Sequence, residues 1–531
     1  MEDGLDQGLV RTGRHGRLSA AATMGSRGQR PARPSRPGQQ VLHQAMSAAA
    51  VLVVVLLLLM VVRLPWAGDL GMHAAVLERL HADPQHPGNP LVDADTPSPY
   101  YSPWMVALWL VAEATDWSTF QVLHFSALVN LLLLLTGIRG FVRTFTLQRS
   151  AVPCAMLCVT LLYGVGLFAW SGFPSLTSLS LTLAYPSTFA FGLSFHLWAL
   201  LRTAVADAWP LPAFLALGLL LALILLAHQF TGGVAILGAA GVLLGARPWP
   251  KSGIWLRVGT AAAAAAVVLA VWPYYPFFSL FTVGGLEGVH RPLYQDLFER
   301  FCLVSVGVAA LAARWWKDRR DPLVIFFLLG LAVFTVGGLT GRYSWGRTLP
   351  AVLVPAQVAL ALEAVGAGRR VVARLLAPLA AAALLIGAWA QAGVLAYVLR
   401  TDAIPPALRA APRFTPWHAI DQLIRPVPTG QTVMTNDYYA LRMIPAYGPY
   451  TVAPAYPDVF LADAEARRKA TDRYFAPGTP RQDRLAILRD YGVSWVVQKS
   501  GHPGGLLVDD PALEEVARGR YGLVLLRVKH R

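Results

Sequence analysis

Long stretches of this chain are almost unbroken runs of Ala, Leu, Val, Ile and Phe, separated by short polar segments. The clearest cover 48–62, 211–227, 260–271, 322–336 and 375–399. A helix needs about 20 apolar residues to cross the hydrocarbon of a bilayer. Unpaired backbone groups are too costly in lipid for an open irregular segment to do the same. The runs therefore predict membrane-spanning helices. Trp, Tyr and Pro collect near their ends, where interfacial anchors belong.

The polar segments are of two kinds, and they alternate. Basic clusters occur at Arg139/Arg143/Arg149, Arg202, Arg247/Lys251/Arg257, Arg314/Lys317/Arg319/Arg320 and Arg369/Arg370/Arg374. Segments 64–119, 170–185, around 230, 273–299 and 341–347 are poor in Lys and Arg. Cytoplasmic loops concentrate positive charge. The alternation thus predicts about eleven spans, at 44–63, 120–138, 151–169, 186–206, 211–229, 232–246, 255–272, 301–315, 322–340, 348–365 and 374–398. The N-terminus is then cytoplasmic, loops 64–119 and 273–300 are outside, and the C-terminal region is extracytoplasmic. The expected location is the plasma (inner) membrane, multi-pass. "YSPWMVALWLVAEATDW" (101–117) is apolar but short, and a crossing there would turn every later Arg cluster outward. It is expected to lie against the outer face as a juxtamembrane or re-entrant helix.

Three domains follow. Residues 1–43, rich in Arg, Gly, Pro and Ser, predict a disordered basic cytoplasmic tail. Residues 44–399 carry the spans. In 400–531 charges become common and apolar runs shorten to strand length: "QTVMT" (431–435), "VSWVVQ" (493–498) and "YGLVLLRV" (521–528). Helical patterns at 459–474, 481–490 and 511–519 alternate with them, which predicts a small α/β domain. The fold class expected is a polytopic α-helical membrane protein with a C-terminal extracytoplasmic α/β domain.

Composition agrees. Of 531 residues, 55% are hydrophobic and only 14% charged, against about 25% charged in soluble domains. The net charge of +15 could suit nucleic acid. The Arg residues instead mark one side of a membrane, so the partner expected is the lipid bilayer and no nucleic acid. Cys154, Cys158 and Cys302 all fall in apolar runs and read as small buried hydrophobes.

Candidate chemistry lies in the segments poor in Lys and Arg. "GDLGMHAAVLERLHADPQHPGNP" (68–90) follows the first span. In a helix starting there, Asp69 and His73 are i,i+4 and share a face. A carboxylate at the interface can act as a general base, its pKa raised by partial burial; it can equally be a helix N-cap. His81, Asp83 and His86 read as a solvated loop. Asp93 and Asp95 form a D-x-D pair of the kind that can hold a divalent metal against a phosphate, and a proline-rich turn accounts for them as well. Tyr100 and Tyr101 could stack on a sugar or anchor the interface. His228, His290, Arg291, Arg342 and Arg347 lie at outer ends of spans. A membrane-proximal Arg pair suits a phosphate, because guanidinium makes bidentate charge-assisted bonds; snorkelling toward headgroups is the bland alternative.

This layout resembles the GT-C superfamily of integral membrane glycosyltransferases. The resemblance rests on a first span, an outer loop opening on an acidic residue ("GDLGMH"), a loop helix introduced by Tyr and Pro ("YYSPWMVALW"), many spans and an extracytoplasmic C-terminal domain. "VMTNDYYALRMIPAYGPYTVAPAYPD" and "LRDYGVSWVVQKS" are also similar to C-terminal domains of bacterial members, and the Ala-, Arg-, Gly- and Pro-rich composition suits a GC-rich, actinobacterial source. It covers most of 44–531, with loose motifs. It implies inverting transfer of a sugar from a polyprenyl-phosphate donor to a glycan, lipid or protein acceptor of the cell envelope. Asp69 would be the base, and Arg342 or Arg347 would hold the departing phosphate. Protein O-mannosyltransferases and aminoarabinose transferases commonly have an Asp-Glu pair in this loop; here Leu70 follows Asp69, which puts metal use in doubt. Two other functions would use the same features. One is a transporter or flippase of a lipid-linked precursor, which would want polar residues deep in interrupted spans. The other is a non-catalytic GT-C-like assembly protein, which the missing carboxylate would suit.

Overall fold

The computed structural model describes residues 37–281, 285–366, 370–501 and 504–529. Residues 1–36 of the expected tail, residues 282–284 of the second outer loop and Arg369 lie outside them. The protein is 65% helix; among the described residues seven helices are long and apolar enough to cross a membrane and four apolar ones are shorter. It is a multi-pass membrane protein.

The helices that carry the site are, in order, α1 (Pro37–Arg63), α2 (Leu70–Ala82), α3 (Pro103–Thr115), α4 (Thr119–Arg143), α5 (Ala151–Leu161), α6 (Leu176–Thr182), α7 (Pro186–Ala206), α8 (Leu211–Ala227), α9 (Gln229–Leu244), α10 (Ser252–Ala270), α11 (Ser305–Lys317), α12 (Pro322–Leu339), α13 (Pro350–Val365) and α14 (Arg370–Ala390). Local signals set several starts. Pro103, Pro186, Pro322 and Pro350 stand in first turns, where a missing N–H costs nothing. Ser102 and Asp321 cap their helices by accepting from Met105 N and Leu323 N.

Three expected spans differ from the helices found: the one expected over 301–315 is broken by a 3-10 turn at Cys302–Val304 before α11 starts at Ser305. α1 begins at Pro37, inside the residues expected to be tail. The span expected over 151–169 stops at Leu161. Breaking a helix inside an apolar bundle frees carbonyls that need donors. Gln391 Nε2 donates to Thr160 O (3.2 Å) and Leu161 O (3.3 Å), and Gln357 Nε2 donates to Leu162 O (2.9 Å). The amides come from distant helices, so the break has no local sign in the sequence. Beyond it, Val165 N and Gly166 N both donate to Glu299 O at 2.8 Å.

The basic loops gather at one end of the bundle. Arg314 bridges Asp321 (2.6 Å) and Glu363 (2.9 Å), Arg247 meets Asp318 (2.5 Å), and Arg202 lies 4.2 Å over the ring of Phe145. Those pairs tie together the loops after α4, α7, α9, α11 and α13. The segments poor in Lys and Arg meet at the other end.

There they are joined by residues 421–528, which hold a five-stranded sheet in the order β2-β1-β3-β5-β4. The strands are β1 (Thr432–Met434), β2 (Tyr450–Thr451), β3 (Val493–Lys499), β4 (Leu513–Arg518) and β5 (Leu523–Val528). β1 pairs in parallel with β2 and β3, and β5 runs antiparallel to β3 and β4. Helices α15 (Tyr438–Met443), α16 (Ala464–Phe475) and α17 (Arg481–Asp490) connect the strands. The segment expected to be helical over 511–519 is the edge strand β4. Its bulge and its exposed Glu514, Glu515 and Arg518 suit an unpaired edge; four charged or apolar residues in that spacing look the same on a helix face.

The sheet end is clamped onto the first outer loop. Arg79 on α2 is 2% exposed, and its guanidinium donates to Gly448 O (2.6 Å) and Pro449 O (2.8 Å) while lying 3.6 Å over Tyr450. Thr451 N donates to Leu91 O at 2.9 Å, which extends the sheet by one rung. At Gly71 a Cβ would sit 2.0 Å from Arg442 O, so only glycine lets α2 come this close to α15.

Candidate functional site

Asp69 closes the turn between α1 and α2. Gly68 has φ +48° and a Cβ there would lie 3.3 Å from the Tyr185 hydroxyl, so the turn requires glycine. The turn is pinned from both sides. Tyr185 donates to Ala67 O (2.5 Å) from the bundle, and Tyr456 donates to Gly68 O (2.6 Å) from the C-terminal region. Tyr185 itself is held by Asn130 in the middle of α4, whose amide donates to Leu183 O (2.8 Å) and Tyr185 O (3.2 Å). Asp69 occupies the N-cap position of α2, yet its side chain makes no cap hydrogen bond. The carboxylate lies among Arg347, Arg442 and Tyr456. Burial raises its pKa above the usual 3.8; Arg347, Arg442 and the Tyr456 hydroxyl oppose that rise.

His73 stands one helical turn further on and is 5% exposed. Its ring lies 4.7 Å from Tyr185 and 6.2 Å from Tyr100, edge-on to both. Burial pushes its pKa down to about 3, so it is neutral at physiological pH.

The opposite wall is a cation. Arg347 sits in the 3-10 turn Tyr343–Thr348 ahead of α13 and is 8% exposed. Glu287 braces that turn by accepting from Ser344 N (2.8 Å) and Ser344 Oγ (2.9 Å). Arg347 Nη2 lies 3.0 Å from His228 Nε2. A guanidinium has only donors, so Nε2 accepts. On its other side Nδ1 lies 2.8 Å from Thr231 Oγ1 and 3.2 Å from Thr231 N at the start of α9. His228 occupies the single residue at which the chain reverses between α8 and α9. Phe230 and Trp170 flank the guanidinium at 4.8 and 5.9 Å, and His290 packs against the same two rings at 5.2 and 6.2 Å. Burial lowers the His290 pKa to about 4, and the Arg347 charge adds to the effect. Among the described residues no carboxylate makes an ion pair with Arg347.

The structure thus brings Asp69, His73, Tyr100, His228, His290 and Arg347 to one place. It separates three other candidates from them. Tyr101, next to Tyr100 in a turn, packs instead on Tyr274 with ring centres 5.6 Å apart. Arg291 is exposed, one residue round a helical turn from His290. Arg342 is exposed over Trp345 at 5.6 Å; five residues at about three per turn put it on a different side from Arg347. Asp93 and Asp95 are both exposed, and among the described residues no group of three or more His, Cys, Asp or Glu is placed to hold a metal ion. His81 binds Glu113 at 2.6 Å on the surface, and Asp83 accepts from Gln85 N and His86 N.

Sequence reasoning missed Tyr185, Tyr456, Arg442, Trp170 and Phe230. Arg442 and Tyr456 lie in the quoted segment "VMTNDYYALRMIPAYGPYTVAPAYPD", but nothing in its local pattern points to Asp69.

No protein-family model matches the sequence, and no curated protein matches it. Solved structures do. AftD, an arabinofuranosyltransferase from Mycobacteria, matches with TM-score 0.54 and 15% identity over 92% of this chain; the chain spans 40% of the length of AftD. ArnT from Cupriavidus metallidurans matches with TM-score 0.50 and 14% identity over 92% of this chain and 98% of its own. At such identities the likeness is one of architecture: the chain shares the fold of these two structures.

Proposed function

We propose that the protein is an inverting glycosyltransferase that moves a sugar from a polyprenyl-phosphate donor to a hydroxyl acceptor of the cell envelope. The observation that carries this reading is one cluster holding a carboxylate not used as a helix cap, Asp69, and a buried guanidinium that acts on it and, among the described residues, has no carboxylate ion pair, Arg347. Asp69 takes the acceptor's proton. The acceptor oxygen attacks the anomeric carbon, and the bond to the phosphate oxygen breaks with its electrons leaving on the phosphate. Arg347, oriented by His228, neutralises that charge as it develops. Preorganised charge of this sort is commonly the largest catalytic contribution. AftD and ArnT, with the same fold, are glycosyltransferases.

In this reading eleven passages put the N-terminus in the cytoplasm and the sheet region outside. α3 lies against the outer face, and residues 400–531 act as an extracytoplasmic domain that completes the chamber with Arg442 and Tyr456.

The test supplies membranes containing the protein with a panel of polyprenyl-phosphate sugars. Transfer is expected from the unaltered protein and a fall of about 10²- to 10⁴-fold in Asp69→Asn. Transfer retained by Asp69→Asn would remove Asp69 as base, and movement of lipid without a new glycosidic bond would favour a transporter. Transfer is expected to persist in EDTA, since the donor set around Asp69 holds one carboxylate and two guanidiniums.

A further inference from the structure

Two side chains beside Asp69 lack the hydrogen-bond partners that polar groups normally have. Among the described residues neither ring nitrogen of His73 has a hydrogen-bond partner, although the residue is 5% exposed and Nδ1 is fully enclosed. The Tyr100 hydroxyl has no hydrogen-bond partner among the described residues, and its ring packs against His73. The Asp69 carboxylate makes no cap hydrogen bond to α2, so its acceptor oxygens are not spent there. About nine in ten buried polar groups in folded proteins are satisfied, and an unmade bond there is costly. His73 Nδ1, with the Tyr100 hydroxyl and the Asp69 carboxylate beside it, marks a place where something else makes the bonds.

From the Asp69–His73–Tyr100 cluster we infer a subsite that binds neighbouring hydroxyls of a sugar ring, with His73 reading the hydroxyl beside the one that reacts. This deepens the glycosyltransferase reading and rests on it. The chemistry fits a neutral polyol. His73 brings one acceptor and one donor, Tyr100 a hydroxyl that does both, and Asp69 an acceptor. A lone serine or alcohol acceptor would occupy Asp69 and leave the other two unpaired. A phosphate would be repelled by Asp69 and is better served by Arg347, which already has its own side of the chamber. Two rings carry such hydroxyls, the transferred sugar and a saccharide acceptor. Kinetics distinguishes them.

The experiment measures transfer and thermal unfolding for His73→Leu, His73→Gln and Tyr100→Phe beside the unaltered protein. Donor and acceptor are titrated separately, using the best polyprenyl-phosphate sugar and a saccharide acceptor, each also as its monodeoxy analogues. His73→Leu is expected to lose about 10- to 100-fold in kcat/KM, with His73→Gln recovering part of it. One deoxy analogue should be used equally well by His73→Leu and the unaltered protein. If that analogue is the donor, the hydroxyl read is on the transferred sugar; if it is the acceptor, the acceptor is a saccharide. The midpoint of unfolding in His73→Leu should stay level or rise, because an unsatisfied polar group has been removed. A purely structural His73 predicts a lower midpoint and equal losses on every analogue, and that result overturns the subsite. If the unaltered protein transfers no sugar, the glycosyltransferase reading itself falls, and with it the subsite.

Discussion

At the scale of single residues, Asp69 and His73 owe their chemistry to burial, which works on them in opposite directions. Asp69 is held above the usual carboxylate range. A carboxylate with a raised folded pKa contributes stability below about pH 3.8, and loses it as pH rises through the folded value. At neutral pH its charge therefore costs stability, and Asp69→Asn should unfold no earlier than the unaltered protein even though transfer collapses. The acid limb of the transfer rate should lie above 3.8 for the same reason. His73 runs the other way. Folded, it takes up a proton only near pH 3; unfolded, near 6.5. Stability present above pH 6.5 is lost as pH falls through that window, by ~3 kcal/mol at about pH 4.5. Denaturant unfolding at pH 7 and at about pH 4.5 should show this loss, and His73→Leu should remove it. Gly172 adds a steric case. It has φ +83°, and a Cβ would lie 3.3 Å from Thr231 Oγ1 and 3.5 Å from His228 Cε1. Gly172→Ala should disturb the His228–Arg347 pair and slow transfer with little change in α-helix content by circular dichroism.

At the scale of elements, the site exists because three breaks in regular structure are paid for by side chains from elsewhere. The end of α5 is served by Gln357 and Gln391, the turn before α7 by Asn130, and the reversal at His228 by Thr231. Gln391→Leu should leave the Thr160 and Leu161 carbonyls without that donor and cost ~1–3 kcal/mol, read as a lower unfolding midpoint in detergent. The docking of α2 on α15 is equally specific. Gly71→Ala would force a methyl into Arg442 O, so α2 must move, at a cost of ~1–3 kcal/mol. Because Arg442 and Tyr456 ride on that contact, transfer should fall more than stability. The helices themselves were largely legible from apolar runs and Pro starts. The breaks were not, because their partners lie tens to hundreds of residues away. β4 was misread for a related reason: an exposed edge strand carries too few buried positions to display a period of two.

At the scale of the whole molecule, charge separates the two ends. The tied basic loops make one end, and Asp69 with Arg347 makes the other. Substituted cysteines check the proposed orientation in intact cells. Gln85→Cys, exposed on the first outer loop, should react with a membrane-impermeant maleimide, and Lys317→Cys, exposed at the basic end, should not; the reverse pattern would invert the topology. Sequence alone determined the membrane class, the alternation of loops and Asp69 as the carboxylate to watch. Those follow from hydrophobicity and positive charge, which are summed over neighbouring residues and need no knowledge of distant ones. Only the tertiary structure decided that Arg347, and neither Arg291 nor Arg342, faces Asp69, and that Tyr185, Arg442 and Tyr456 close the chamber. These are contacts across hundreds of residues, and the side on which each residue points depends on a helix phase or a turn that distant packing sets.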